Sequence, residues 1–351
     1  MRHWRRSLMA VLISGSALLA HADTACFDRS KEPYTFIVDS HLHFQPFSGR
    51  SVDFQTLVGY LAEAGIRYAN VYGIGQTRID DWECLKYGRG CANSTIQPTM
   101  KNDFINAHHL SQTPSTQVGL TLSMTFMDLQ NPETIVDRMA LLDGEFPGLF
   151  RWMGEANVVK QALFGWGHRP ASLENIDNWA PFMALLRERN MPLALHSDLG
   201  NDDEPLKYLN LMEYILQSYP DNVIVWMHLG MSREQTDMDP VEHHQLLRQL
   251  MEAHPNLWLD ISWNVLYDYY FRDEQRRPHY VALLNDYASR TLTGTDLVAN
   301  ERTRYEHYER ALYQNSYINQ YLSDEAFRYI ALGQSYYELL GLNEVAPEIC
   351  E

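Results

Sequence analysis

Short apolar segments alternate with longer stretches of helical period along most of this chain. The apolar segments, at residues 35–39, 68–73, 117–126, 150–157, 192–196, 222–228, 257–262 and 291–296, give eight strand candidates. Several are continuous hydrophobic runs, such as Val223-Ile224-Val225-Trp226, the pattern of parallel strands covered on both faces. Between them, residues 52–64, 132–142, 173–189, 206–219 and 240–254 repeat apolar positions every three or four residues and predict helices. Asn131-Pro132 and Asp239-Pro240 fit a cap followed by proline in the first turn, and Pro220 and Pro255 stop the helices that precede them. Strand and helix alternating about eight times in roughly 260 residues is the arithmetic of a single-domain α/β fold, the (β/α)8 TIM barrel. A doubly wound sheet shares the alternation, which by itself does not show closure. Residues 76–110 are weakly periodic and predict an insertion after the second strand, on the face where barrel sites are built. Residues 300–342, rich in Tyr and Leu, predict two closing helices.

The N-terminus departs from this pattern. Arg2, Arg5 and Arg6 precede an apolar run over residues 8–19, too short for a bilayer that takes about 20 helical residues, and Ala20-His21-Ala22 has the small-x-small form of a cleavage site. A secretory signal peptide is therefore predicted over residues 1–22, with the barrel domain in 23–351 and its core in about 35–342. The expected location is periplasmic or secreted, with no membrane attachment after cleavage. In an oxidising compartment the four cysteines are most simply two disulfides, and Cys84–Cys91 with Cys26–Cys350 is the favoured pairing. No C-x2-C spacing supports a metal role for them.

Composition narrows the partners. The chain has 351 residues with 28 Lys+Arg against 45 Asp+Glu, a net charge of -17 that becomes -20 when the three leader arginines leave. Nucleic-acid binding depends on basic residues neutralising phosphates, so a polyanion partner is excluded and a small-molecule substrate expected. Oligomerisation stays open.

Candidate chemistry lies at the ends of the predicted strands. In Asp39-Ser40-His41-Leu42-His43-Phe44 the two histidines are two apart, and in an extended segment they face the same side, as a pair of metal ligands would. A chance pair of polar residues at a strand end reads the same way. Later strands end in Glu155 (Gly154-Glu155), His196 (Leu195-His196-Ser197-Asp198), His228 (Met227-His228-Leu229-Gly230) and Asp296 (Gly294-Thr295-Asp296). A closed barrel brings such ends together on one face, and His with carboxylate suits a divalent cation.

His-x-His, His, His and Asp at the ends of strands one, five, six and eight resemble the amidohydrolase superfamily of metal-dependent (β/α)8 barrels. The Asp-x-His-x-His-Phe opening and the Gly-Thr-Asp ending resemble its amidohydrolase-related branch, which contains decarboxylases and lactonases beside hydrolases. The resemblance implies His41, His43, His196 and Asp296 as ligands of a divalent metal, by default zinc. It implies that His228 orients the reactive water or binds a second ion. Glu155 either bridges two ions or fixes a ligand histidine from outside. Asp296 and His228 are the implied catalytic residues of a hydrolase that cleaves a C–N, C–O or lactone bond with metal-activated water. A decarboxylase of a small carboxylic acid on the same site, and a non-catalytic metal- or ligand-binding barrel, are the alternatives. A basic group aimed at a substrate carboxylate would favour the decarboxylase, with Arg272, Arg290 and Arg302 as candidates. Trp263 reads as a pocket wall or core residue, Asp260 or Ser262 as a candidate inward-pointing residue, and His168 as near the active face. The adjacent pairs His108-His109 and His243-His244 are expected at the surface, because helix neighbours do not face one another.

Overall fold

The computed structural model describes residues 26–78, 95–113 and 117–350. The predicted signal peptide and the Cys84–Cys91 pair lie outside these residues. Eight of the nine strands of the main sheet follow the predicted segments: β1 (Val38–His43), β2 (Tyr68–Tyr72), β5 (Gly119–Met124), β6 (Phe150–Val159), β7 (Leu193–Ser197), β8 (Ile224–Trp226), β9 (Leu257–Asp260) and β10 (Thr291–Leu292). All pairings within this sheet are parallel, and β11 (Leu297–Val298) returns to pair with β1. β10 and β11 are two halves of the eighth barrel strand: β10 pairs with β9, and the segment between the halves bonds to β1 through Ser40 N–H to Thr293 O (3.0 Å) and Asp296 N–H to His41 O (2.7 Å). The protein is a TIM barrel.

Gly294 permits this seam, since a Cβ there would lie 2.6 Å from the His41 backbone nitrogen. Gly154, at φ 97°, does the same between β6 and β7, where a Cβ would lie 2.1 Å from Ala194 O. These are close backbone approaches that only glycine allows.

The helices differ from expectation where local chemistry intervenes. Asp239 caps its helix as predicted, accepting from Val241 N–H and Glu242 N–H. The single helix expected over 173–189 is instead two, Leu173–Asp177 and Ala180–Arg189. Pro181 has no N–H to continue the first, so the chain turns at the buried Trp179 and restarts. The region 76–110 contains a hairpin of β3 (Gln76–Arg78) and β4 (Ile96–Pro98), followed by the helix Lys101–Ser111. The two closing helices expected over 300–342 are three, Tyr305–Ser316, Asp324–Ile330 and Gln334–Leu340, with a 3-10 segment Tyr317–Tyr321 between the first two. The reason is again local: Ser323 caps a new helix at Ala326 N–H, and Gly333, at φ 83°, breaks the chain before the last one.

The barrel interior is layered. At the bottom, Tyr336 from the last helix donates to Thr121 Oγ1 (2.7 Å), which donates to Asn70 Oδ1 (2.7 Å). Above them Trp152 stacks on Tyr336, and Tyr72 fills the next position, 4.7 Å from the His41 ring. A disulfide between Cys26 and Cys350 closes the described chain end to end, beside a bridge of Phe27 with Ile349. Among the described residues no helix is long and apolar enough to cross a membrane.

Candidate metal centre

All six predicted site residues meet above Tyr72. His41 and His43 leave β1 toward the same side, with their Nε2 atoms 3.2 Å apart. Asp296 Oδ1 lies 3.4 Å from His41 Nε2 and 3.3 Å from His43 Nε2. Glu155, from β6, places Oε2 3.4 Å from His43 Nε2 and Oε1 2.5 Å from His196 Nδ1. His228 Nε2 is 3.7 Å from the same Oε1.

The far side of each ring fixes which nitrogen faces inward. His43 Nδ1 donates to Gly73 O (2.6 Å) and His228 Nδ1 to Ser262 O (3.0 Å), because a carbonyl only accepts. His41 Nδ1 donates to Ser262 Oγ (2.9 Å), whose own hydrogen goes to Asp260 Oδ1 (2.5 Å). His196 lies between two carboxylates, with Nε2 2.9 Å from Asp198 Oδ1 and Nδ1 2.5 Å from Glu155 Oε1. Three imidazoles, His41, His43 and His228, thus turn lone pairs, not N–H groups, toward two carboxylates, and His196 joins them beside Glu155. His228 Nε2 is buried with no hydrogen-bond partner among the described residues. Lone pairs and carboxylates facing one another in a buried space need a cation between them, and this donor set fits a divalent metal. The donor atoms form two groups, His41-His43-Glu155-Asp296 and Glu155-His196-His228, each within 4.8 Å, that share Glu155. A third group, His41-His228-Asp260, uses the rear face of the His41 ring, where Ser262 and Asp260 hold it.

The electrostatics agree. Burial opposes charge on His41, but Asp296, Asp260 and Glu155 outweigh it and raise its pKa to about 10. Burial would push the Glu155 carboxyl up, yet Lys160 and His196 hold it well below the carboxylate range. Asp296 is likewise held far down against burial, first by His41. The site is built to hold positive charge.

Backbone strain concentrates here. Among the described residues five non-glycine residues have positive φ, and four of them are His228 (58°), Leu229 (55°), Trp263 (82°) and Asp296 (50°). Each costs about 1 kcal/mol or more and persists only where the surroundings enforce it. For Asp296 the enforcing group is Asp39, which accepts from Thr295 N–H (2.9 Å), Thr295 Oγ1 (2.8 Å) and Tyr308 OH (3.0 Å). The turn at His228 also ends β8 at Trp226, two residues short of the predicted strand.

Several residues fall elsewhere than expected. His243 is fully buried, because it donates through Nε2 to Leu229 O (3.0 Å) and accepts from Tyr280 OH (3.0 Å), holding the turn that follows His228. His108 and His109 are exposed as expected. Arg272, Arg290 and Arg302 do not line the cavity above the cluster: Arg290 bonds the carbonyls of Met251, His254 and Leu257, and Arg272 lines a separate depression with Asp268 and Asp273. His168 lines a different depression, with Asp128 and Arg138. Trp263 is a cavity wall, 4.9 Å from the His228 ring. Sequence reasoning missed Lys160 and Asp198. Asp198 stood two residues after His196, on the same face of an extended segment, and that spacing was the available signal.

A barrel with histidines and carboxylates converging at the C-terminal ends of its strands defines a metal-dependent enzyme scaffold. The amidohydrolase family model matches residues 38–331, and the chain belongs to that family, whose members are metal-dependent enzymes of hydrolase type. Solved structures share the fold at low identity. An amidohydrolase from Burkholderia multivorans with bound zinc is 13% identical over 88% of this chain and 99% of its own, with a TM-score of 0.54. Dihydroorotase from Campylobacter jejuni is 13% identical over 88% and 84%, with a TM-score of 0.51. 4-Oxalomesaconate hydratase from Rhodopseudomonas palustris is 14% identical over 87% and 95%, with a TM-score of 0.50. No curated protein matches the chain in sequence.

Proposed function

We propose that the chain is an exported hydrolase that opens a C–N, C–O or lactone bond in a small substrate, with two divalent cations, by default zinc, at the cluster. The observation that carries this reading is the set of three inward lone pairs, on His41, His43 and His228, gathered with His196 against Glu155 and Asp296. His41, His43 and Asp296 would hold one ion, His196 and His228 the other, and Glu155 would be shared, as the grouping of donor atoms around it indicates. Bound there, the metal lowers the pKa of a water molecule toward about 7 and polarises the bond to be cleaved.

The chain's own residues do the rest. Asp296, ionised and at the cavity floor, takes the proton of the attacking water as the new bond to oxygen forms. It returns that proton to the leaving oxygen or nitrogen as the old bond breaks. Asp260 through Ser262 keeps His41 in the tautomer that faces inward, and Asp198 would do the same for His196 once a cation lies at its Nδ1. The cavity of about 550 Å³ has the size of a small-molecule site. Decarboxylation is the second reading: Glu155 already engages Lys160 (3.0 Å), but Arg233 and Arg310 also line the cavity and would take a substrate carboxylate.

The test is metal analysis of the purified chain together with turnover of ester, lactone, amide and carboxylic-acid panels. Two equivalents of metal with hydrolysis are expected. Failure to retain any divalent metal after loading and dialysis would sink the reading. For export, the Cys26–Cys350 disulfide fits an oxidising compartment. The exported chain should begin at Asp23, and recovery of an uncleaved chain in the cytosol would refute this.

A further inference from the structure

We infer that this cavity takes an anionic substrate, one that carries a carboxylate apart from the bond being cleaved, with Arg233 and Arg310 as its counter-charges. This rests on the hydrolase reading, since it places the reacting bond at the ligand cluster. The sign of the cavity is the first observation. Its lining includes Lys160, Arg233 and Arg310, and its single acid among the described residues is Asp296, which belongs to the cluster. In a chain with 45 acidic and 28 basic residues, this wall has the opposite charge to the molecule as a whole.

The second observation is that neither arginine has a hydrogen-bond or ion-pair partner among the described residues. Arg276 pairs with Asp237 and Arg328 with Glu348, whereas neither Arg233 nor Arg310 has a carboxylate or carbonyl within bonding distance among the described residues. Arg233 lies over the Trp263 ring at 5.4 Å, and that ring stands 4.9 Å from His228 and 5.9 Å from His196. One indole therefore separates the guanidinium from the ligand histidines. Arg310 is on the helix Tyr305–Ser316, with Ala311 and Gln314 beside it on the cavity. That helix is fixed to the loop of Asp296 by Tyr308 OH to Asp39 (3.0 Å) and Asn315 Nδ2 to Thr295 O (3.1 Å). Its register against the cluster is thus set by buried bonds.

Both arginines are solvent-exposed on the cavity wall, where each lacks a counter-charge among the described residues. A carboxylate matches the guanidinium fork, which a neutral substrate would leave unpaired. Phe47, Leu163 and Trp166 supply apolar wall for the body of the substrate. The class indicated is a small acid with an apolar or planar body.

The test uses the full mature chain loaded with zinc and titrated calorimetrically with succinate, glutarate and adipate, each against the monocarboxylate of equal length. At least one dicarboxylate should bind about tenfold or more tighter than its monocarboxylate, the effect of one charge-assisted contact. Arg310→Gln and Arg233→Gln should each reduce that ratio several-fold with zinc content unchanged, and Arg310→Lys should recover part of it. If no dicarboxylate exceeds its monocarboxylate, or the ratio persists in the double Gln variant, the inference fails. Zinc content measured on the same samples separates the two readings: loss of metal binding sinks the hydrolase, whereas full zinc content with no preference for the second carboxylate sinks only the anionic substrate.

Discussion

The two ends of the barrel bury side chains of opposite character. At the C-terminal end the strands finish in buried His41, His43, His196 and His228 with Glu155, and the backbone is forced into positive φ at His228, Leu229, Trp263 and Asp296. At the N-terminal end Tyr336, Trp152 and Tyr72 stack in a column with a short polar chain at its foot. The upper layer is polar and strained, and is held by hydrogen bonds from outside. The lower is apolar and relaxed, and is held by packing. Stability and chemistry are thus assigned to different layers of one interior, and substitutions should separate them.

The largest separation is expected from His41→Ala combined with His43→Ala, which should abolish metal retention and turnover while the far-UV spectrum stays native. Collapse of the spectrum would make the pair structural and erase the distinction between the layers. Asp296→Asn should keep part of the metal but lower turnover by about 10³-fold, within the range of acid–base catalysis. Near-normal turnover would remove Asp296 from proton transfer.

From the other end, Tyr336→Ala should lower unfolding free energy by about 3–5 kcal/mol in denaturant titration, as large buried aromatic truncations do. Metal content should be unchanged. Loss of metal in this variant would show that the layers are coupled through Trp152 and Tyr72.

The two layers were not equally legible in the sequence. The candidate ligands were, because each is a His or carboxylate closing an apolar run, and closure of the barrel converts that position into proximity. The column was not, because Tyr336 belongs to a tail whose packing depends on Gly333 passing Val38, where a Cβ would lie 2.2 Å from Val38 Cγ2. The hairpin β3–β4 escaped because strands of three residues carry no usable period. His243 was misplaced because its helix face is decided by Leu229, and the left-handed turn there follows from tertiary contacts alone. Arg233 and Arg310 are ordinary surface residues until Trp263 and the helix Tyr305–Ser316 bring them to the cavity.

His243 also gives the interior a pH signature. Burial lowers its pKa to about 4, from an ordinary value near 6.5. The unfolded chain therefore takes up a proton before the folded one does. The stabilisation is complete above pH 6.5 and is lost as pH falls toward 4, amounting to about 3 kcal/mol. Stability measured from pH 7 to pH 4 should fall more steeply in the wild type than in His243→Gln, whose amide can still donate to Leu229 O. Parallel profiles would show that His243 is not the group that titrates.

The smallest effect tests how the polar layer is held. Ser262 lies between His41 Nδ1 (2.9 Å) and Asp260 Oδ1 (2.5 Å), so Ser262→Ala removes the relay and leaves the ring. His41 would then face Asp260 Oδ2 at 3.7 Å, too far for a hydrogen bond, and its inward tautomer would lose its enforcement. Metal affinity should drop about tenfold, the lower range for residues that orient a ligand from behind, and the change in unfolding free energy should be about 1 kcal/mol. Ser262→Thr, which keeps the hydroxyl, should restore most of the affinity. If alanine leaves affinity unchanged, the C-terminal layer is held by its packing after all, as the N-terminal layer is.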